Sequence, residues 1–105
     1  MARIEIKIWL GETKNINVLK KLKESIIENG HVCIPNAYGS GLLMISNDGL
    51  VYIDIDTDYC GDSVCTHLYI TLLGADEKLP YLVMDIMDII VSAGFKPELN
   101  SISFE

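Results

Sequence analysis

Residues 42–58 read LLMISNDGLVYIDIDTD, and this stretch contains a strong hairpin signal. A short apolar run precedes Asn47-Asp48-Gly49, and apolar and polar side chains alternate after it. Alternation is the period of a β-strand, because successive side chains point to opposite faces of a sheet. A turn signal of this kind between two such runs is typical of a tight hairpin. The stretch therefore predicts two antiparallel strands, over residues 42–46 and 50–58.

Further segments have the pattern of strands. Residues 4–10 alternate Ile or Leu with polar side chains and are expected to end at Gly11. Residues 65–73 and 101–105 alternate in the same way, and we expect the apolar side chains of both to point inward. A short extended piece around Cys33 is predicted as one more strand.

Two segments have apolar residues at helical spacing. The first helix is predicted to start at a cap on Asn15 or Asn17, and the second at a cap on Asp76. The resulting order is β-α-β-β-β-β-α-β, which predicts one α+β domain over residues 1–105. We expect a mainly antiparallel sheet with two helices packed on one face, ferredoxin-like or a related two-layer sandwich, and a polar opposite face.

Charge and composition narrow the classes of function. The 105 residues carry a net charge of −7, and no Lys or Arg occurs between Lys23 and Lys78. Direct binding to nucleic acid is therefore not expected, because it requires clustered basic residues on the phosphates. No apolar run approaches the length of a membrane span, and no signal peptide is recognised. An odd number of cysteines predicts reduced thiols, so we expect a cytoplasmic protein.

The strand over residues 50–58 places Asp54, Asp56 and Asp58 on one face. Like charges about 7 Å apart repel each other, and nothing in folding requires them there. One interpretation is a solvated sheet face on which Arg3 or Lys7 offsets the repulsion. The other is an acidic docking face with aromatic anchors for a basic protein partner. The residues predicted to contact that partner are Trp9, Tyr52, Asp54, Asp56, Asp58, Asp62 and Tyr69.

The aspartates do not match a calcium loop, because Tyr59 stands where glycine is needed and Cys65 where a closing Glu is needed. A second set of residues has the side-chain types that bind zinc. It contains two pairs, His31/Cys33 and Cys65/His67, in which one residue separates the two, so both side chains of a pair point the same way from a strand. Packing of small buried thiols explains the cysteines equally simply, and a Cys60–Cys65 disulfide is not expected. No cofactor is predicted. The weak candidates for a metal are His31, Cys33, Cys60, Cys65 and His67.

The second helix has an apolar stripe in addition to the one that faces the core. Met84, Met87 and Val91 form this stripe, and one sheet covers about one stripe. A deep fit between the sheet and the other helix would explain it. The alternative is an oligomer contact, in which adaptable Met side chains meet a second copy or a partner.

The element order resembles that of the pyruvoyl-dependent S-adenosylmethionine decarboxylases over most of the chain. The resemblance implies a decarboxylase-type fold. The Glu-Ser-His processing site of that family would fall on the hairpin Ser46-Asn47-Asp48-Gly49, and its catalytic Cys near Leu73-Gly74. Neither segment has the required residues, so the chemistry of the family is not predicted.

The sequence has no nucleophile, base and oxyanion arrangement together, so an enzyme is not predicted. We expect a small acidic binding module, an inhibitor of the immunity or counter-defence type, that neutralises a basic protein which handles nucleic acid. The alternative is a metal- or small-ligand-binding domain that uses Cys/His or Asp side chains, as a non-catalytic relative of a decarboxylase-type fold. A homodimer is a third interpretation.

Overall fold

A computed structural model gives the fold and describes residues 2–12, 15–35, 41–60 and 63–104; the side chains of residues 12, 15, 16, 58–60, 63 and 64 are outside the description. The elements follow the predicted order, with a 3-10 turn, Asp76–Lys78, before the second helix. They are β1 (Ala2–Glu12), α1 (Asn15–Glu28), β2 (Val32–Pro35), β3 (Leu42–Ser46), β4 (Gly49–Cys60), β5 (Ser63–Gly74), α2 (Leu79–Ser92) and β6 (Glu98–Phe104).

The strands form a six-stranded sheet in the order β2-β3-β4-β5-β1-β6, and neighbouring strands are antiparallel. Because β1 lies between β5 and β6, the two strands that flank α2, this half of the sheet is a split β-α-β unit. The predicted class, an α+β two-layer arrangement with a mainly antiparallel sheet, is confirmed. The finer ferredoxin-like description stays a prediction.

One face of the sheet is apolar, and both helices pack on it. The central strands supply Ile8, Ile53 and Leu68, and the helices supply Leu22 and Ile86, all of them fully buried. These positions alternate along the strands and recur at helical spacing along α1 and α2, so the pattern of the sequence places them in one layer. The other face of the sheet has no helix on it in the described part of the chain and is called the open face below.

The two helices are also joined by a buried hydrogen bond, in which the hydroxyl of Ser25 in α1 donates to the carbonyl oxygen of Ile89 in α2 at 2.8 Å. Both helices end in Schellman motifs; after α2, the N–H of Phe95 donates to the carbonyl oxygen of Ile90 at 3.2 Å. Neither helix of the described chain has the length and apolar character that a membrane crossing requires.

Several predicted element boundaries are wrong. β6 begins at Glu98 and not at residue 101. β1 does not end at Gly11, because the strand continues through a bulge that follows Trp9, and Gly11 adopts a φ of 78° there. Asp76 does not cap α2. It begins the 3-10 turn instead, and Lys78, the residue before α2, makes no side-chain cap hydrogen bond.

The turn between β3 and β4 requires glycine at position 49. Gly49 has a φ of 150°, and a Cβ atom on it would collide with the carbonyl oxygen of Leu73 in the neighbouring β5. By contrast, Gly94 has a φ of 93° at the end of α2 with open space around its Cα.

We predict that Gly49→Ala lowers the free energy of unfolding by about 3 kcal/mol, because backbone strain and a steric collision add. Gly94→Ala should cost only about 1 kcal/mol, because it adds conformational strain alone. Urea unfolding of both variants measures the difference. Equal losses would show that the approach of β5 to the turn does not constrain residue 49.

Candidate functional site

The register sets the side chains of the open face in rows across the strands. In one row, Asp54 of β4 is opposite Tyr69 of β5, and Tyr69 is opposite Lys7 of β1. Therefore β5 separates the aspartates from the basic residues of β1. The next row contains, in the same strand order, Asp56, His67 and Trp9.

The two basic side chains of β1 contact groups other than the aspartates. Arg3 forms an ion pair with Glu5 on the same strand. The ammonium of Lys7 lies 5.3 Å from the centroid of the Tyr69 ring, within the range of a cation–π contact. Neither contact offsets the charge of Asp54 or Asp56.

Asp54 and Asp56 are exposed, and they make no ion pair with any side chain that the structure describes. β3 begins at Leu42, opposite Ile53, so in the described chain the outer edge of β4 has no strand beside it from Asp54 onward. Charges on such an edge oppose pairing with other strands. They also leave two carboxylates available to a partner.

The aromatic residues that were predicted to accompany the aspartates lie on the same face of the sheet. Tyr69 is 41% exposed, and Tyr52 and Trp9 are half-buried. The side chain of Asp58 and the whole of Asp62 are outside the described residues. We call Trp9, Tyr52, Asp54, Asp56 and Tyr69 the acidic–aromatic region.

A depression of about 280 Å³ lies in the open face next to Tyr69, over strands β5, β1 and β6. It is the size of one large side chain. Polar side chains from three strands surround it, so it can hold the stem of a long side chain and hydrogen-bond its end. Its lining residues are Glu5, Ile6, Lys7, Tyr69, Ile70, Thr71, Ser101 and Ser103; Ile6 and Ile70 point their side chains to the helix side.

The open face is not polar throughout, and that part of the prediction is wrong. At the β2–β3 edge, Val32 pairs with Ile45, Ile34 pairs with Leu43, and Ile45 pairs with Leu50. Val32, Ile34 and Ile45 are 56%, 42% and 39% exposed. We call Val32, Ile34, Leu43, Ile45 and Leu50 the apolar corner.

Sequence reasoning missed the apolar corner although a signal was present. Residues 42–45 read LLMI, so both faces of β3 are apolar and do not alternate. An uninterrupted apolar strand is typical of burial on both faces. Here the helices cover only one of the two faces.

Two of the candidate metal ligands lie on opposite faces of the sheet. His67 is on the open face opposite Asp56, and Cys33 is half-buried on β2, on the side of the helices. Burial raises the pKa of the Cys33 thiol, and the positive charge of Lys23 lowers it in part. Within the described residues, no group of three or more His, Cys, Asp or Glu is placed to hold a metal ion.

Cys65 differs from the prediction of reduced thiols. It is 2% exposed and disulfide-bonded, whereas Cys33 is free. The expectation of a reduced thiol at Cys65 is therefore wrong, and its sulfur is not available as a metal ligand. The side chain of Cys60 is outside the described residues.

Sequence reasoning also missed a buried carboxyl on α2. Asp85 Oδ2 is buried, with no hydrogen-bond partner among the described groups. Burial raises the pKa of the Asp85 carboxyl, and the neighbouring carboxylates of Asp48 and Asp88 raise that pKa further, while His31 lowers it in part. Asp85 therefore lies where the β3–β4 turn meets α2.

The predicted oligomer stripe is divided by the structure. Met84 and Val91 are 61% and 60% exposed, and Met87 packs partly against the core. Two of the three residues are therefore exposed, so the stripe is not buried as a whole between the sheet and the other helix.

We predict that Asp85→Asn stabilises the fold by about 1 kcal/mol at pH 7, because the amide carries no charge to bury. A raised pKa in the folded state means that the ionised form destabilises the fold. The wild type thus loses stability as the pH rises above the ordinary Asp range, about 3.9.

Thermal unfolding at pH 3, 5 and 7 tests this expectation, which requires that the gain disappear at the lowest pH. Glu77→Gln is the matched control, since Glu77 is exposed in the 3-10 turn before the same helix and removal of its charge leaves the surroundings of Asp85 unchanged. An equal gain in both variants would indicate a general effect of net charge.

We also predict that iodoacetamide modifies Cys33 slowly in the native protein and fully after unfolding, without a reductant. Cys65 should be modified only after unfolding with a reductant, because its sulfur is disulfide-bonded. Peptide mapping by mass spectrometry separates the two sites. Modification of Cys65 without reductant would contradict the disulfide.

Comparisons with known proteins assign the chain to no family. No model of a protein family matches the chain, and neither does any curated protein. Among solved structures, the chain is similar to a de novo designed protein, Foldit4, with 18% sequence identity and a TM-score of 0.48. The match covers 99% of this chain and 94% of the designed one. This likeness says nothing about the function of the chain.

Proposed function

We propose that this chain is a small acidic binding module that inhibits a basic, nucleic-acid-handling protein by covering its positive surface with the open face. The observation that carries the proposal is the exposure of Asp54 and Asp56, unpaired among the described side chains, on the same face of the sheet as Tyr69 and Trp9. Inhibitors of the immunity or counter-defence type act on partners of this chemistry.

The electrostatics favour a basic partner. Lys7 and Arg3, the basic residues of β1, contact Tyr69 and Glu5, and the chain carries a net charge of −7. A carboxylate without a counter-charge gains most from a guanidinium or ammonium of the partner, and the field of the whole molecule speeds the encounter. The association rate should therefore fall as salt is added.

The apolar corner would supply the water-excluding part of the interface. Protein interfaces combine a desolvated apolar core with a polar rim, and aromatic residues dominate their energetics. Tyr52 links the two regions, because it is opposite Leu43 of the apolar corner and next to Asp54 along β4. A partner with an apolar patch beside basic side chains would match both regions together.

The proposal places the protein in the cytoplasm, where its partner and nucleic acid would be found. Disulfides are rare in that compartment and common in oxidising ones. The redox state of Cys65 in protein isolated from its own cells therefore tests the location separately from the binding.

We predict that the double variant Asp54→Asn/Asp56→Asn weakens the partner complex at least about tenfold, mainly through a slower association rate. The untagged chain is first used to isolate and identify the partner. Affinity, and inhibition of the partner's binding to nucleic acid, are then measured with both purified proteins.

The matched control is Glu24→Gln/Glu28→Gln, which removes the same charge from exposed positions on α1. It should leave the affinity within about twofold if contact, and not net charge, decides binding. An acidic partner, or equal affinity of the Asp54/Asp56 variant and the wild type, would refute the proposal. Aggregation of that variant with unchanged affinity would assign the aspartates to protection of the β4 edge.

A further inference from the structure

β6 is an edge strand without the usual protection. In the described chain it pairs only with β1, so its outer backbone N–H and C=O groups have no strand beside them. All seven of its residues are exposed, and Glu98 is the charged one among them. Soluble proteins normally guard such an edge with charges, proline or a cover, because it is a template for another strand.

An apolar groove runs along the same edge, between β6 and α2. It has a volume of about 550 Å³, and among the described residues that line it Asp76 is the charged one. Ile102 and Phe104 lie on the helix side of β6, opposite Ile6 and Ile4, but they are 42% and 71% exposed. These side chains point to the helix side, as predicted, but they are not buried.

The outer side of α2 extends this surface. Met84 lines the groove, and Tyr81 and Val91 lie three residues before it and seven after it, on the same side of the helix. A bulge places Leu99 opposite Ile8, on the helix side of β6. The exposed fractions of Tyr81, Met84, Val91 and Leu99 are 60%, 61%, 60% and 55%.

We propose that this surface binds a second copy of the chain, with the two β6 strands paired antiparallel about a two-fold axis. An edge strand is self-complementary under that symmetry, because each copy offers the other the same donors and acceptors. The two sheets then form one continuous sheet with all four helices on one side. Phe104 and Ile102 of each copy are covered at the joint, and the two α2 helices close over it.

The size and charge of the surface fit a second copy. Six large apolar side chains that are about half exposed offer on the order of 600 Å² per copy, close to the roughly 800 Å² per partner of a standard interface. A basic protein partner would gain little here, because the described lining of the groove is apolar apart from the carboxylate of Asp76. The open face, which carries the proposed inhibition, stays free in the dimer.

Sedimentation equilibrium of the full chain, from about 1 to about 300 µM, measures the association directly. We expect a reversible dimer with a dissociation constant in the micromolar range. Because each copy carries a charge of −7, added salt should tighten the dimer by screening repulsion. The same salt weakens the proposed complex with a basic partner, so the two proposals are distinguished.

Phe104→Asp and Met84→Asp should each raise the dissociation constant at least about tenfold, since each buries an unpaired carboxylate in the joint. Ile27→Asp is the matched control, because Ile27 is 55% exposed on α1, the helix that packs away from β6. Thermal unfolding confirms that the three variants are folded. A monomer at every concentration, or a dimer lost in Ile27→Asp and kept in Phe104→Asp, overturns the proposal.

Discussion

Two helices cannot cover a sheet of six strands, and this limit decides where the molecule exposes apolar surface. A helix is about 10 Å wide and strands are about 4.8 Å apart, so two helices side by side cover roughly four strands. Here α1 packs on β2, β3 and β4, and α2 packs on β4 and β5. The edge strand β6 is left largely uncovered, although its apolar residues point to the helix side. The groove beside α2 is the direct result.

The open face has a different cause of exposure. β1, β4 and β5 alternate, so they present polar groups there, whereas β3 is apolar on both of its faces. The face is therefore divided into an acidic–aromatic region and an apolar corner, with β5 between the aspartates and the basic residues of β1. Burial of one apolar face stabilises the fold, while the division of the other face gives it the two kinds of surface that protein interfaces combine.

Much of the fold follows from local signals in the sequence. Alternation along β1, β4 and β5, the turn before Gly49 and the two glycine-ended helices predict the element order and the two layers. Strand order is not local, because it depends on which strands pair across 60 or more residues, as Glu5 does with Thr71. The aspartates could thus be assigned to one face of the sheet, but the side chains that lie beside them on neighbouring strands could not be predicted. The carboxyl of Asp85 could not be found either, since its burial arises where a turn meets a helix.

The strand order also has a consequence in time. β1 is made first, yet both strands that pair with it, β5 and β6, lie in the second half of the chain. During synthesis, roughly 60 more residues must be added after β1 before a strand that pairs with it is complete. Such non-local pairing slows folding and leaves an aggregation-prone segment exposed meanwhile. Arg3, Glu5 and Lys7 between the Ile residues of β1 keep this segment charged, which would hinder premature association on the ribosome.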